Sequence, residues 1–404
     1  MDTLNRIVHD LQLAKEINDY FDIWYDNEDF FIKNKGNILF TQKTYTNPEL
    51  PKVSMFSGYE EQFKSLFDNN NLTFINESIA TAKRLNIKPK FMLDYSVSMD
   101  TQFVSYIERY FYNKRFKDEI EFEEILYKLI DNNVNLDYVP YAIENISKGV
   151  PIEGIKQNLK EVIRFFCLDN STSLLIKNMK VKDENYFLQK YNSITTSLMN
   201  PEKEMLFSHF KYMQKVLYLI LLNIIYINKT QNTLREKVDK LLSFMHYDLN
   251  TIFARELIIA SKFYELDDEI IFFRKVRDIN KKTISRLKNM AWDLSLVRLL
   301  ELSFKIRPNE KSEFYISYFF TFDKGLSQII DLFPLKTILS IEGIDLFQTI
   351  PYIEIIDYFK EHDFLDKYYS NEAREYRQKN LDKTESKYDS MIVKMENKIE
   401  EFYK

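Results

Sequence analysis

Glycine is scarce in this chain, 6 in 404 residues, and no G-x-G-x-x-G occurs. That removes the usual way of bringing backbone amides up to a nucleotide's phosphates. The nearest approach to a phosphate loop, GVPIEGIK at 149–156, has Ile155 where a lysine should stand. Cysteine is rarer still. The single Cys167 excludes an intramolecular disulfide and any cysteine-cluster zinc site, and it suits a reducing compartment. The four histidines, His9, His209, His246 and His362, have no neighbour at metal-ligand spacing, and there is no H-E-x-x-H. No arginine stands four to six residues before any of them, so a helical ribonuclease with an Arg/His pair is not visible, and G-x-S-x-G is absent. The most apolar run, VLYLILLNIIYI at 216–227, falls short of the roughly 20 residues of a membrane span and reads as a buried helix. The amino-terminal segment carries early acids and no apolar core of signal-peptide length, so a cytoplasmic protein with no membrane association is expected.

What is present is ordinary for a folded chain: 45% hydrophobic and 29% charged residues, enough length for two or three domains, and a net charge of −5. The acidic balance gives no general attraction for nucleic acid. Locally the picture differs. RKVRDINKKTISRLK, 274–288, sets Arg274, Lys275, Arg277, Lys281, Lys282, Arg286 and Lys288 against Asp278 alone. Such a stripe either tracks a phosphate backbone or forms a solvated helix face.

Periodicity predicts an α/β protein that is mostly helical. Residues 1–30 repeat apolar groups at helical steps, and 1–85 reads as an amino-terminal helical region. NIKPKFMLD, 86–94, changes period: a proline precedes a short apolar run that reads as a buried strand ending on Asp94. Helices resume through 150, with Asp137 and Pro140 placed as a helix start, and 151–285 is almost wholly helical. EFYISYFFTFDKGL, 313–326, is a second strand ending on an aspartate, and PLKTILSI is a third apolar run. In 351–404, also helical, the tail repeats Tyr388, Ile392, Met395, Ile399 and Phe402 at the spacing of a narrow seam. That seam is a place where a partner protein or a second copy would pair.

Four acids lie in unusually apolar company: Asp94 after FML, Glu144 in VPYAIENI, Asp293 in NMAWDLSLVRLLE and Asp323 after FYISYFFTF. Buried carboxylates need hydrogen bonds, cations or metal ions, and hard Mg²⁺ or Mn²⁺ suits their oxygens best. Taken singly, each also reads as a helix cap or a surface acid.

Their order resembles the PIN-domain family of metal-dependent nucleases. LDYSV at 93–97 is similar to the family's first strand and aspartate, YVPYAIENI at 138–146 to its early helical glutamate, MAWDLSLVRLL to its later helical acid, and TFDKGL at 321–326 to its final threonine-x-aspartate. The resemblance implies a small parallel sheet flanked by helices. It would be built from 86–150 and 286–350, with 151–285 inserted, because 149 positions separate Glu144 from Asp293. It further implies nuclease activity, RNA before DNA, with Asp94, Glu144, Asp293 and Asp323 on Mg²⁺ or Mn²⁺, and Thr321 and Ser96 in support. A toxin or defence role is compatible with it.

A second resemblance competes locally. Asp94, Ser96 and Ser98 form D-x-S-x-S, similar to the metal-ion-dependent adhesion motif of von Willebrand A domains, where Mg²⁺ awaits a partner's carboxylate. A third reading is a helical scaffold without chemistry, which the 27 tyrosines and 33 phenylalanines suit as packing surfaces.

Overall fold

The computed structural model describes residues 3–41, 59, 61–67, 72–88, 93–131, 134–173, 175–198, 201–304, 314–362, 364–381 and 387–404. The chain opens with α1 (Thr3–Leu13), α2 (Ile17–Asp26) and α3 (Glu28–Asn34). Strands β1 (Gly36–Thr41), β2 (Phe63–Lys64) and β3 (Leu72–Ile75) follow, then α4 (Glu77–Arg84). The central part holds β4 (Leu93–Met99), α5 (Thr101–Phe111), α6 (Glu119–Asp131), β5 (Asn135–Asp137) and α7 (Val139–Ser147). A helical run comes next: α8 (Ile152–Phe165), α9 (Glu184–Ser197), α10 (Pro201–Thr230), α11 (Leu234–Ser243), α12 (Ala254–Leu266) and α13 (Thr283–Ser303). The chain ends in β6 (Phe314–Phe320), α14 (Lys324–Asp331), β7 (Leu335–Ile341), β8 (Leu346–Pro351), α15 (Ile355–Tyr358), α16 (Leu365–Tyr369), α17 (Asn371–Asn380) and α18 (Tyr388–Glu400). The fold is α/β and mostly helical, as the periodicity predicts.

Two four-stranded sheets organise it. One has the order β2-β6-β4-β5, with β6, β4 and β5 parallel and β2 antiparallel at the edge. The other, β3-β1-β7-β8, is antiparallel throughout. The stretch 1–85, expected to be helical, therefore contributes three strands. PLKTILSI becomes β7 and joins the antiparallel sheet rather than the parallel one, pairing with β1 on one side and β8 on the other, and Leu335 to Leu339 are buried in succession, as in a strand covered on both faces.

Parallel strands need crossovers, and β4 reaches β5 through α5 and α6. These helices seal one face of the sheet, with Phe103 and Phe122 meeting Phe320 at ring separations of 4.8 and 6.3 Å. Helices α7 and α13 pack against β4 and β6.

The helical stretch 151–285 does not form one insertion. Helices α8 and α9 pack into the core that contains both sheets, while α10 to α12 build a second core with α13, α14 and α18. Helix α13 belongs to both: Leu287, Met290, Ala291 and Leu294 face the second core, and Leu296, Val297 and Leu300 the first. A helix apolar on all sides is one buried on all sides.

The run 216–227 lies inside α10, whose stretch Met205–Thr230 is long and apolar enough by length and composition to cross a membrane. Here Val216 to Ile225 lie in the second core. The carboxy-terminal seam is also covered from within. Tyr388, Met395 and Ile399 are buried, and α18 lies along α10, so most of the surface expected to pair with a partner is already occupied.

Candidate functional site

The strand expected to end on Asp94 runs on past it. Residues 89–92 lie outside the described residues, and β4 runs from Leu93 to Met99. The residue at its carboxyl end is Asp100, which starts α5 by accepting a hydrogen bond from the Phe103 backbone N–H at 2.7 Å. Six residues at about 3.3 Å each place Asp94 about 20 Å away, at the other end of the sheet. Asp94 accepts from the Asn135 Nδ2 at 3.3 Å.

The D-x-S-x-S motif lies within this strand rather than on a loop after it. Its alternate residues share one sheet face, and their hydroxyls are engaged there. Ser96 is hydrogen-bonded to the Tyr315 hydroxyl, and Ser98 donates to Asp137 Oδ2 at 2.9 Å and lies 3.4 Å from Ser317 Oγ. Both serines are buried. The adhesion-type arrangement is not formed, because hydroxyls bound inside a sheet have no open position to offer. For the same reason Ser96 does not support the other acids.

The other three predicted acids gather at the end of the sheet where Asp100 stands. Glu144 lies on α7, with a side chain 13% exposed; it accepts from Thr101 Oγ1 at 2.7 Å and pairs with Lys148 at 2.5 Å. Asn145 donates to the same Thr101 hydroxyl at 3.2 Å, so the turn after Asp100 and the helix of Glu144 are bound together. Asp293 lies mid-way along α13, with a side chain 26% exposed, and faces Lys275 Nζ at 3.5 Å. Ile143, Phe210, Trp292 and Leu299 form a small cluster of their own, which holds α7 to α13 and so Glu144 near Asp293.

Asp323 follows β6 and caps α14, accepting from the Gly325 and Leu326 N–H groups at 2.7 and 3.1 Å. Thr321, 1% exposed, accepts from the Asp323 N–H at 3.0 Å, and its own N–H bonds Gln62 at 3.0 Å. Thr321 thus braces the backbone of the turn at Asp323. Gly325 has a local reason. A side chain there would press on the Phe272 backbone, its Cβ meeting the Phe272 Cα at 3.1 Å. The 3₁₀ turn Ile271–Val276, which carries Lys275, therefore lies close against α14, and Gln328 ties the two through the Ile271 N–H at 2.8 Å and the Glu269 carbonyl at 2.9 Å.

The electrostatics record the gathering. Burial raises the Asp100 carboxyl to about 7, with the Phe103 N–H opposing and the charges of Glu144 and Asp293 adding to the rise. Burial likewise lifts Asp293 to about 6 against the pull of Lys275, with Asp323 and Glu144 pushing it further up. Each carboxylate senses others from different segments. Their oxygens still point to separate partners, and among the described residues no three acid, histidine or cysteine side chains stand close enough to hold an ion as they are placed. The donor chemistry suits a hard divalent cation; seating one would require Lys275 and Lys148 to let go of their carboxylates.

The basic stripe is divided. Arg274 and Lys275 sit on the 3₁₀ turn, Lys281 and Lys282 precede α13, and Lys288 turns toward Glu396 on α18 at 3.0 Å. Arg277 pairs with Asp268, and Arg286 donates to the Lys275 carbonyl at 2.6 Å. One continuous phosphate track is not formed, since a loop separates the turn from the helix. Lys275 alone is shown reaching the acids. Asp323 itself lines a cavity of about 460 Å³, whose walls carry Lys64, Lys117 and Lys324 against the acids Glu61, Asp118, Glu121 and Asp331.

No family model, curated protein or solved structure matches this chain.

Sequence reasoning missed Asp100. The signal was there: Val97 and Met99 extend the alternation past Asp94, and Asp100 stands three residues before Phe103, the first buried position of the next helix.

Proposed function

We propose that this chain is a metal-dependent nuclease of PIN-like type, with RNA as its first substrate, and that Asp100, Glu144, Asp293 and Asp323 hold the ion. Asp100 takes the place that Asp94 was expected to fill. One observation carries the reading: acids from four separate segments, from residue 100 to residue 323, meet at the carboxyl ends of β4 and β6, and two of them are lifted toward neutrality by burial and mutual repulsion. The carboxyl end of a parallel sheet is where open α/β folds place their ligands. Unrelieved negative charge in a buried site is what a cation would relieve.

Mg²⁺ or Mn²⁺ would activate a water for attack on phosphorus and neutralise the leaving oxygen. The chain's own residues then have definite tasks. Asp100 and Asp293 would lend their carboxylates to the ion, and Lys275, which faces Asp293 at 3.5 Å, would offer its charge to the phosphate. Thr101 fixes the Glu144 carboxylate, and Thr321 holds the turn of Asp323.

Calorimetric titration with Mn²⁺, followed by incubation with labelled single-stranded RNA, tests this on the wild type, Asp100→Asn, Asp293→Asn and Asp94→Asn. The first two variants should lose ion binding and at least about a hundredfold in cleavage. Asp94→Asn should keep both. A wild type that binds no Mn²⁺, or an Asp100→Asn variant that cleaves as well as the wild type, overturns the reading.

A further inference from the structure

Away from the acids, the second core opens to the surface between α10, α18 and the end of α11, in a cavity of about 220 Å³. Helix α11 does not stop in an ordinary cap. It runs into a π-helical turn, Phe244–Asp248, and wide turns of this kind are often found at functional sites. The walls of the opening are Tyr226, Ile227, Phe244, Met391 and Met395, of which Ile227, Phe244 and Met395 are buried. Asn223 and Ser243 add polar atoms, and the charged groups are mainly basic: Lys240 at the end of α11, and Lys394 and Lys398 one turn apart on α18, with Asp248 as the acid in the lining.

The lysines converge rather than scatter. Lys394 and Lys240 both pull down the Asp248 carboxyl, which burial raises. The Lys398 ammonium lies 4.7 Å from the centre of the Tyr226 ring, at the edge of the apolar wall. Asp248 answers part of this charge, and among the described residues Lys240 and Lys394 make no salt bridge or hydrogen bond within the chain. A recess with apolar walls, an excess of two positive charges and a volume below the roughly 300 Å³ of a drug-sized pocket suits a small ligand with a charged head.

We propose that this recess binds a small organic anion, its phosphate or carboxylate head held by Lys240, Lys394 and Lys398 and its short apolar body lying against Tyr226, Phe244 and Met391. The site is independent of the acidic cluster.

Calorimetry of the full chain with butyl phosphate, butyrate and inorganic phosphate tests it. Butyl phosphate or butyrate should bind, and the tighter of the two identifies the head group. Inorganic phosphate, lacking the apolar body, should bind at least about tenfold more weakly than the butyl ester. Lys240→Gln with Lys394→Gln should weaken binding by at least about tenfold while leaving the thermal midpoint of the free protein unchanged, since both side chains are exposed. The proposal is overturned if neither butyl compound binds, if the double variant binds as tightly as the wild type, or if inorganic phosphate matches the butyl ester.

Discussion

Asp293 and Glu301 stand eight residues apart on α13, about 12 Å along its axis, and their surroundings drive them in opposite directions. Burial raises both. At Glu301 the charges of Arg298 and Arg255 prevail and hold the carboxyl down at about 2, through contacts of 2.8 Å from each guanidinium. At Asp293 the single Lys275, at 3.5 Å, does not prevail, and the carboxyl rises to about 6. Arg255 also donates to the Phe333 carbonyl at 3.0 Å, and Arg298 reaches Glu256, so the Glu301 end fastens α13 to α12 and to the end of α14. The difference is one of partners: two guanidinium groups fasten Glu301 and with it the helix, whereas the Asp293 carboxyl faces one ammonium and other carboxyls.

The comparison breaks most visibly at Glu301. Glu301→Gln leaves two guanidinium groups under-paired in the core, so the variant should lose about 3 kcal/mol in urea unfolding at neutral pH. A loss within experimental error would mean that the network does not bind α12, α13 and α14 together.

Next in size is the effect of an ion at the other end. Mn²⁺ at a hundred times its dissociation constant should stabilise the wild type by about 2.7 kcal/mol at pH 8. The gain should be smaller at pH 5, where protons occupy Asp100 and Asp293, and absent in Asp100→Asn. Equal stabilisation at both pH values would remove these two carboxyls from the site.

Without metal the sign reverses. Asp100 and Asp293 have folded values near 7 and 6, above the ordinary 3.8, so the stability they contribute is full below about pH 4 and falls away as the pH rises through 6 to 7. Asp100→Asn, which keeps a good helix cap, and Asp293→Asn should therefore each be more stable than the wild type at pH 8, by on the order of 1 kcal/mol, and the advantage should vanish near pH 4. Glu301 works the other way: its contribution is present above about pH 4.5 and lost as the pH falls toward 2. Urea midpoints across pH 3 to 9 would check both slopes, and a variant less stable than the wild type at pH 8 would sink the account of an unrelieved charge. The smallest change is expected at Asp94, where Asp94→Asn should stay within about 0.5 kcal/mol of the wild type.

Much of this was legible in the sequence. The helical periodicity, the strand character of 314–320, and the setting of Glu144, Asp293, Asp323 and Thr321 in apolar surroundings could all be read from residue types and spacing. A local reading ends the short apolar run at its first charge and so points to Asp94. A strand bonded on both sides by β5 and β6 carries its alternation onward, with polar Ser96 and Ser98 satisfied across the sheet by Tyr315 and Asp137. The antiparallel sheet was also beyond local reading. Its central pair joins Gly36–Phe40 to Thr337–Ile341, and no pattern within either segment names a partner three hundred residues away.

The sequence by itself determined most of the helices of 3–34 and 151–285, which acids would be hard to bury, and which chemistries lack their residues, because these depend on side-chain type and on periods of two and 3.6 residues. Only the tertiary structure decided that Asp100 rather than Asp94 stands with Glu144, Asp293 and Asp323, and that Lys275 alone of the basic run faces them. Electrostatic influence falls with distance through space, and distances between segments are set by strand pairing and by the packing of α7 against α13, not by separation along the chain.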